Sequence, residues 1–345
     1  MNKIVFAIGA TKSGGAEKRA ILISKILRDK YDTKVFAFHG ENNGDIDLVY
    51  RPSYSEYKQI KKSERIKALR EYLTKEKPDF VFSFVPHINF FTTKALKTKD
   101  LDGVKHVVGI VNIKNSFKSS LLLNYSVKRA DAIYYQSEGQ KQFIKCKCQS
   151  FALANPINIP EFKNKDSKFK MMSVGRLEDQ KDYAFMIKAF DIISKNLPNA
   201  TLDIYGSGSK RPELVQLIKS KDLEQKVKLV EYQENIKQYY DQHDIFLFTS
   251  RFEGFPNALA EAMANNLICF STSFKTGLED LIIDEKTGYI CKNRDVLEFA
   301  NLVVNKLEHY EEASKVAKDA YKHVEAICSE TSFKERMIAE LNKLK

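Results

Sequence analysis

The 345-residue sequence is poor in the features that mark several specialised classes of protein. Its 14 glycines and 8 prolines are too few for a collagen-like or low-complexity chain, and a hydrophobic content of 43% excludes an intrinsically disordered one. No apolar run approaches the roughly 20 residues that a membrane-spanning helix needs. The apolar stretch that follows Met1-Asn2-Lys3 is too short and too strand-like for a secretory signal. We therefore expect a cytosolic protein.

Cysteine is also scarce, with five residues in the chain. Cys146 and Cys148 form a C-x-C pair without a second pair, and the other three are scattered. A structural zinc site needs about four ligands at short, regular spacing, and no such pattern is present. The sequence predicts no metal site of this kind, and the cysteines are expected to be reduced and mostly buried.

Charge is plentiful and unevenly distributed. The chain holds 56 Lys and Arg against 45 Asp and Glu, a net charge of +11. Residues 1–155 contain 28 basic and 15 acidic side chains, a net of +13, whereas residues 156–345 contain 28 and 30, a net of −2. This asymmetry favours a polyanionic partner for the first half, either a membrane surface, a nucleic acid or an anionic substrate; the alternative is a solvated basic surface with no partner.

Short apolar strands alternate with helical patterns through both halves, which predicts βαβ units and parallel sheets. In the first half we predict strands at 3–9, 34–38, 79–85, 105–111, 132–135 and 150–154, with helices near 16–29, 60–75, 117–129 and 138–145. In the second half we predict strands at 169–174, 201–205, 227–230, 245–249 and 267–271, with helices at 183–195, 211–220, 235–241 and 257–265 and only helices after 293.

Asn155-Pro156 and Pro160 separate the two series, so the sequence predicts two doubly wound α/β domains joined near residue 157. Ligands of such sheets bind beyond the carboxyl ends of the strands. With two domains, the cleft between them is the expected site.

A glycine-containing loop, residues 9–17, follows the first predicted strand. It does not match a Walker A loop, because Gly15-Ala16 stand where that motif needs Lys followed by Ser or Thr. It does not match the dinucleotide-binding fingerprint G-x-G-x-x-G either, because Ala10-Thr11 break its spacing. Gly14 and Gly15 at the start of a helix would still let backbone N–H groups approach an anion. The alternative is an ordinary βα turn.

Three segments of the second half also follow predicted strands. Arg176 and Lys181 come after the first of them, where two cations could bind a pyrophosphate. Tyr205-Gly206-Ser207-Gly208 is a glycine turn after the next strand. After the strand at 245–249, a loop with Glu253 leads into a helix that begins at Pro256-Asn257 and carries Glu261, which predicts free N–H groups at 257–259. Backbone amides that bind an anion, together with two carboxylates that accept hydrogen bonds from hydroxyls, suit a sugar nucleotide.

In these motifs the sequence resembles the retaining glycosyltransferases of family 4, which have the two-domain GT-B fold. The resemblance runs essentially from end to end. It rests on the segments Gly14–Glu17, Asn155-Pro156, Val174–Leu177 with Lys181-Asp182, Tyr205–Gly208 and, above all, the E-x7-E motif from Glu253 to Glu261. Bacterial enzymes of lipid-linked oligosaccharide, capsule or lipopolysaccharide synthesis are the most similar in character.

The resemblance implies an acceptor-side domain over residues 1–156, with a C-terminal helix of about 330–345 packing back on it, and a donor-binding domain over 157–329. It implies that Arg176 and Lys181 neutralise the donor diphosphate and that Glu253 contacts the transferred sugar, these three being the catalytic candidates. It also implies a larger set of donor-binding positions: Gly14, Gly15, Gly206, Gly254, Phe255, Pro256, Asn257, Ala258, Leu259 and Glu261, the last for the ribose hydroxyls. The donor is expected to be UDP-linked, a hexose or an N-acetylhexosamine, and no metal or other cofactor is expected.

The chain departs from this family at the strand near 105–111. Many relatives have a His, Arg or Glu at its end, but residues 109–113 contain no acid or base, and His106 lies at the opposite end of the strand. His87 ends a neighbouring strand and is a candidate on the acceptor side. Asp45-Ile46-Asp47 matches the D-x-D of metal-dependent glycosyltransferases, an alternative that we rank well below metal-independent transfer. Two different functions also stay open: a UDP-N-acetylhexosamine 2-epimerase-like isomerase and an inactive sugar-nucleotide-binding protein.

Basic residues concentrate between Lys58 and Lys77. Some apolar residues of this segment lie three or four positions apart, as they would on one face of a helix. This pattern predicts a basic amphipathic helix that docks on anionic lipid, placing the protein peripherally on the inner face of the cell membrane. Nucleic acid is not expected as a partner, because no recognition module accompanies the charge.

Overall fold

A computed structural model describes residues 1–11, 15–40, 52–111, 117–165 and 169–345 of the chain. The chain forms two compact units. The first comprises Met1–Asn155 and Phe333–Lys345, and the second comprises Pro156–Ser332. In the described ranges, the structure contains no helix with both the length and the apolar character needed to cross a membrane.

The first unit is built on a parallel six-stranded sheet. Its strands are β1 (Lys3–Ala10), β2 (Asp32–His39), β3 (Phe80–Phe84), β4 (Lys105–Ile110), β5 (Ala132–Tyr135) and β6 (Gln149–Ala152). Its helices are α1 (Gly15–Leu27), α2 (Tyr54–Gln59), α3 (Lys62–Glu76), α4 (Pro86–Ala95) and α5 (Phe117–Val127), with short 3₁₀ helices at Lys99–Leu101 and Glu138–Gln142. The sheet order is β2-β1-β3-β4-β5-β6, so successive strands are added on one side of β1 up to β2 and on its other side from β3 onward, which places the switch point of the sheet between β1 and β3.

The second unit has its own parallel six-stranded sheet. Its strands are β7 (Lys170–Val174), β8 (Thr201–Tyr205), β9 (Val227–Val230), β10 (Ile245–Phe248), β11 (Ile268–Thr272) and β12 (Tyr289–Cys291). Its helices are α6 (Tyr183–Asn196), α7 (Arg211–Ser220), α8 (Lys237–Tyr240), α9 (Asn257–Ala264), α10 (Val296–Leu307) and α11 (Tyr310–Cys328). The order β12-β11-β10-β7-β8-β9 is that of a doubly wound sheet, whose switch point lies between β7 and β10.

The last helix, α12 (Glu330–Asn342), runs from the end of the second unit into the first. Phe333, Met337 and Leu341 recur at intervals of four and are fully buried in the core beneath β1, β3 and β5. Lys334 adds an ion pair to Asp29, at 3.0 Å. The carboxyl-terminal helix therefore belongs to the hydrophobic core of the first unit.

Both sheets are covered on two faces, which explains the near-continuous apolar sequences of their strands. Residues 4–8 of β1 and all of β10 are buried. The helix predicted at 138–145 is wrong, because the chain forms a 3₁₀ helix at Glu138–Gln142 there. Helices α2 and α4 and the three-residue strand β12 have no counterpart in the sequence predictions.

Candidate active site

Three loops of the second unit lie at the same edge of its sheet. Arg176 and Lys181 follow β7, Gly206 follows β8 and Glu253 follows β10. Because β7 is hydrogen-bonded to both β8 and β10, the carboxyl ends of these strands are neighbours. The residues therefore flank the switch point of the sheet, the position at which doubly wound folds bind ligands.

Lys181 and Glu253 form an ion pair across this switch point. Lys181 Nζ lies 2.7 Å from Glu253 Oε1, and the two side chains are 16% and 10% exposed. The same carboxylate oxygen accepts a hydrogen bond from Ser250 Oγ at 2.7 Å, while Oε2 accepts from Gln180 Nε2 at 3.2 Å. Both oxygens of Glu253 are thus held, and the carboxylate has a fixed orientation.

The amide of Gln180 links this pair to Arg176. Its Oε1 accepts a hydrogen bond from the exposed Arg176 guanidinium at 3.3 Å, and its Nε2 also donates to the carbonyl of Phe252 at 2.9 Å. Gln180 therefore connects Arg176 with Glu253, which is itself paired with Lys181. Gln180 was not among the residues predicted from the sequence.

Arg294 holds the loop that carries Glu253 in place through an ion pair and hydrogen bonds. Its guanidinium lies 2.7 Å from Asp182 Oδ2, and it donates to the carbonyls of Thr249 and Ser250 and to the hydroxyl of Thr272. Asp182 is also the N-cap of α6 and directly follows Lys181. Arg294 thus joins the Lys181 segment to the ends of β10 and β11. No signal in the sequence distinguished this arginine from the many others that lie at surfaces.

Gly206 allows two of the loops to pack backbone against backbone. Its φ is +153°, and a Cβ there would clash with the carbonyl oxygen of Gly175. The N–H of Leu177 donates to the carbonyl of Ser207 at 2.9 Å, which closes the contact. The glycine turn therefore supports the segment that carries Arg176, and a larger residue would displace that segment.

Helix α9 supplies the remaining predicted donor-binding positions. Phe255, Pro256 and Leu259 are buried, whereas Gly254 and Ala258 are partly exposed and Asn257 is exposed. A ligand would therefore meet backbone at the buried positions. The prediction of free N–H groups at 257–259 is wrong in part, because those of Asn257 and Leu259 already donate to the carbonyls of Phe255 and Pro256.

Glu261 lies in the second turn of α9 and is partly exposed. Its Oε2 accepts a hydrogen bond from the hydroxyl of Tyr240 at 3.2 Å. Tyr240 is fully buried, and burial together with the neighbouring carboxylate raises the pKa of its hydroxyl well above the usual value. The tyrosine is therefore a permanent donor, and it holds one oxygen of Glu261 in place.

The predicted residues of the first unit are only partly described. Gly15 is exposed at the start of α1, whereas Gly14, Asp45 and Asp47 lie outside the described residues. His87 is the second residue of α4, and desolvation of its ring, followed by the positive charge of Arg65, lowers its pKa.

Potential metal ligands are dispersed through the described part of the chain. Its residues contain no group of three or more His, Cys, Asp or Glu side chains arranged to hold a metal ion. The five cysteines are free thiols; Cys269, Cys291 and Cys328 are buried, and Cys146 and Cys148 are half-buried.

Comparison with known proteins identifies the family. Residues 155–323, which include the loops described above, match the family model of glycosyl transferases group 1. The protein is a glycosyltransferase, and its second unit matches the group 1 family. A relative from Campylobacter jejuni, an N-acetylgalactosamine-N,N'-diacetylbacillosaminyl-diphospho-undecaprenol 4-alpha-N-acetylgalactosaminyltransferase, is 26% identical over 320 residues, covering 84% of this chain and 86% of its own. The amylovoran biosynthesis glycosyltransferase AmsD of Erwinia amylovora is also 26% identical, with coverages of 84% and 86%.

Solved structures agree on the fold of this glycosyltransferase. Anabaena HepE, crystallised with UDP, superimposes with a TM-score of 0.84 at 18% identity, over 99% of this chain and 100% of its own. The fold is GT-B, and the prediction of two Rossmann-like α/β domains is confirmed.

Proposed function

We propose that this glycosyltransferase transfers a hexose or N-acetylhexosamine from a UDP-sugar to a glycan or lipid-linked acceptor in bacterial surface polysaccharide synthesis. Transfer proceeds with retention of configuration and without a metal ion. The relatives support the acceptor class, since one is named for a diphospho-undecaprenol-linked substrate and another for amylovoran biosynthesis. The crystal structure of HepE with UDP supports the donor class.

The observation that carries the proposal is the group formed by Arg176, Lys181 and Glu253 at the switch point of the second unit. Two cations and a fixed carboxylate lie beside the N-terminus of α9 and a glycine turn. A nucleoside diphosphate needs positive charge and close backbone approach, while a sugar needs a rigid hydrogen-bond acceptor. The group provides each of these within one unit.

In the proposed reaction the bond from the anomeric carbon to the diphosphate breaks, and the sugar becomes oxocarbenium-like. Negative charge then builds up on the departing UDP. The largely buried Lys181 and the exposed Arg176 stabilise that charge, which is the kind of fixed electrostatic contribution that most lowers a barrier. Glu253 orients the sugar, and the acceptor hydroxyl attacks from the side that UDP leaves and gives its proton to the departing diphosphate, so no enzymatic nucleophile is required.

Helix α3 supports a proposal for membrane binding in a modified form. Its apolar residues Leu69, Tyr72 and Leu73 pack into the first unit and are not available to lipid. Arg65 and Arg70 donate to backbone carbonyls of neighbouring segments. Six exposed lysines remain in and around the helix: Lys58, Lys61, Lys62, Lys67, Lys75 and Lys77. We therefore propose electrostatic, salt-sensitive attachment to anionic lipid rather than insertion of an apolar face.

A single incubation series tests the proposed reaction. The protein is mixed with UDP-glucose, UDP-galactose or their N-acetylated counterparts, with an undecaprenyl-diphosphate-linked sugar as acceptor and excess EDTA. UDP release that requires the acceptor is expected. Epimerisation of the UDP-sugar without acceptor would instead show an isomerase, and UDP binding without release would show an inactive binding protein. Release abolished by EDTA would contradict metal independence.

A further inference from the structure

The segment that follows β11, residues 273–278, is called the β11 loop below. Strand β11 is hydrogen-bonded to β10 in parallel, with Ser271 beside Phe248 at the last paired position. The loops that leave the two strands therefore begin as neighbours at the carboxyl edge of the sheet. The loop that leaves β10 carries Glu253, so the β11 loop is in a position to support it.

Thr276 of the β11 loop binds the main chain of Glu253. Its Oγ1 donates to the carbonyl of Glu253 at 2.5 Å, and Thr276 is 3% exposed. Gln180, Lys181 and Ser250 hold the carboxylate of Glu253, whereas Thr276 holds its backbone. Because the direction of a side chain depends on the backbone that carries it, the hydroxyl of Thr276 helps to set the position of the carboxylate.

Thr276 and Gly277 both have left-handed backbone, with φ of +92° and +78°. Glycine adopts this conformation readily, but a β-branched residue there is strained. Such strain persists where surrounding contacts maintain it, and it is frequent at functional sites. A glycine in place of Thr276 would relieve the strain and would lose the hydroxyl. The hydrogen bond to Glu253 is therefore what the unfavourable residue contributes at this position.

Gly277 brings the β11 loop against the part of the chain that follows Glu253. A Cβ on Gly277 would lie 3.0 Å from Cδ of Pro256 and 3.3 Å from the carbonyl oxygen of Gly254. Arg294, in contrast, binds carbonyls that precede Glu253. The loop that carries Glu253 is thus held on both sides of this residue, by Arg294 before it and by the β11 loop after it.

Phe274 connects the β11 loop with Lys181. Phe274 is buried, and its ring centroid lies 5.7 Å from that of Phe248. Lys181 Nζ lies 5.2 Å from the centroid of the same Phe248 ring, a distance at which an ammonium is attracted to an aromatic face. The β11 loop therefore supports both members of the ion pair, Glu253 through Thr276 and Lys181 through Phe248.

We propose that Thr276 is a positioning residue for the transfer reaction. Its hydroxyl fixes the main chain of Glu253 and, through it, the carboxylate that contacts the donor sugar. Loss of the hydroxyl weakens recognition and transfer of the sugar but leaves recognition of UDP unchanged, because UDP is bound by Arg176, Lys181 and the start of α9. This inference rests on the proposed function, which assigns Glu253 to the sugar.

Two substitutions separate the hydroxyl from the shape of the side chain. Thr276→Val removes the hydroxyl and keeps the β-branch, whereas Thr276→Ser keeps the hydroxyl. Calorimetry with the full chain gives the Kd of UDP and of UDP-glucose, UDP-galactose and their N-acetylated counterparts. In Thr276→Val we expect the Kd of the most tightly bound UDP-sugar to rise about fivefold, the effect of weakening one hydrogen bond, and the Kd of UDP to stay unchanged. Thr276→Ser should bind the UDP-sugar nearly as wild type does.

Thr287→Val is the matched control. The hydroxyl of Thr287 is also buried in the second unit and donates to the carbonyl of Leu281, outside the loop that carries Glu253. Its Tm should fall as in Thr276→Val, while its binding of UDP and UDP-sugar stays that of the wild type. When transfer to an acceptor is measured, kcat should fall about tenfold in Thr276→Val and not in the control.

The outcomes distinguish this role from the proposed function. The same Kd for the UDP-sugar in wild type and Thr276→Val would overturn the positioning role. An equal rise of the Kd for UDP and for UDP-sugar would also overturn it, because it would show general damage to the site. A wild type that binds a UDP-sugar but transfers it to no acceptor would contradict the proposed function, and the Kd values would still decide the role of Thr276.

Discussion

Lys181 Nζ lies 2.7 Å from Glu253 Oε1, and the two residues are 72 positions apart in the sequence. The pair joins the loops that follow β7 and β10, on either side of the switch point. The lysine expected to bind the donor diphosphate is therefore already bound to the carboxylate expected to contact the sugar. A donor that reaches Lys181 must share the ammonium with Glu253, which couples recognition of the phosphate with recognition of the sugar.

Replacing either partner of this pair should remove most activity. We expect Lys181→Ala and Glu253→Ala each to lower UDP release by about 10² to 10³, the loss typical for one electrostatic group at a reacting centre. The double variant should be little worse than either single one, because residues that act as a unit are not additive. Release of UDP under saturating donor measures this.

Lys195→Ala is the matched control for the lysine, since Lys195 is 71% exposed in the same unit and pairs with Asp191. It should keep wild-type rates. Wild-type rates in both Lys181→Ala and Glu253→Ala would show that the site has been assigned to the wrong residues.

The positions of the candidate donor residues could be predicted because they follow strand ends. Buried apolar strands such as β7 and β10 are legible in the sequence, and parallel strands bring their carboxyl ends to one edge. The partners of these residues could not be predicted in the same way. Gln180, Ser250 and Arg294 are ordinary polar residues whose roles arise from contacts across 3 to 112 positions.

A buried hydrogen-bond chain of the first unit shows the same limit: Ser83 Oγ donates to Asn89 Oδ1 at 2.8 Å and lies 2.8 Å from His106 Nε2. His106 lies at the amino end of β4, and its position in the sequence gave no reason to connect it with either residue. Register brings it beside Ser83, because Val81 pairs with His106 and Ser83 with Val108. Helix α4 then places Asn89 within reach, and this helix was not predicted. Sheet register and helix placement depend on tertiary packing, which a single sequence does not display.

Arg294 should act as a positioning residue for the Glu253 loop. Arg294→Gln removes the ion pair with Asp182 and most of the hydrogen bonds to Thr249, Ser250 and Thr272. We expect kcat for UDP release to fall roughly tenfold or more, because a small misplacement of a reacting group has a large effect on rate. The Tm should fall by a few degrees, which is typical when a network of hydrogen bonds and ion pairs is broken.

Arg294→Lys, which keeps the charge but not the planar fork, should recover part of the thermal stability and little of kcat. Lys292→Ala, at a side chain that is 81% exposed, is the neighbouring control. A lower Tm with unchanged kcat in Arg294→Gln would reduce Arg294 to a structural role.

His106 should make the first unit sensitive to acid. Its pKa is lowered from 6.5 to about 3 by burial, so between these values the unfolded chain binds a proton that the folded chain does not. The free energy of unfolding therefore decreases as the pH falls below about 6.5, by up to about 2 kcal/mol between pH 7 and pH 5. Replacement by Gln removes this titration, so His106→Gln should lose less stability over that range, whatever its stability at pH 7.

Urea unfolding of the first unit at pH 7 and pH 5 in both proteins measures the difference. His39, His87 and the carboxylates are common to the two proteins and cancel in the comparison. If the free energy of unfolding decreases equally in wild type and in His106→Gln, His106 takes up its proton while the first unit stays folded.

Membrane attachment through α3 should depend on charge alone. Because Leu69, Tyr72 and Leu73 are buried in the first unit, the lysines around the helix are what a bilayer would meet. Each lysine near an anionic surface contributes about 1 kcal/mol, and the attraction is screened within about 10 Å at 0.1 M salt. The protein should therefore sediment with phosphatidylglycerol vesicles at low salt and be released at high salt.

Two triple variants separate a role of α3 from a role of net charge. The change Lys62→Glu, Lys67→Glu and Lys75→Glu should abolish sedimentation. The same change in net charge in the second unit, at the exposed lysines Lys195, Lys292 and Lys322, should weaken sedimentation far less. Equal loss in both triple variants would show that net charge rather than α3 determines binding, and no sedimentation of the wild type at low salt would end the membrane proposal.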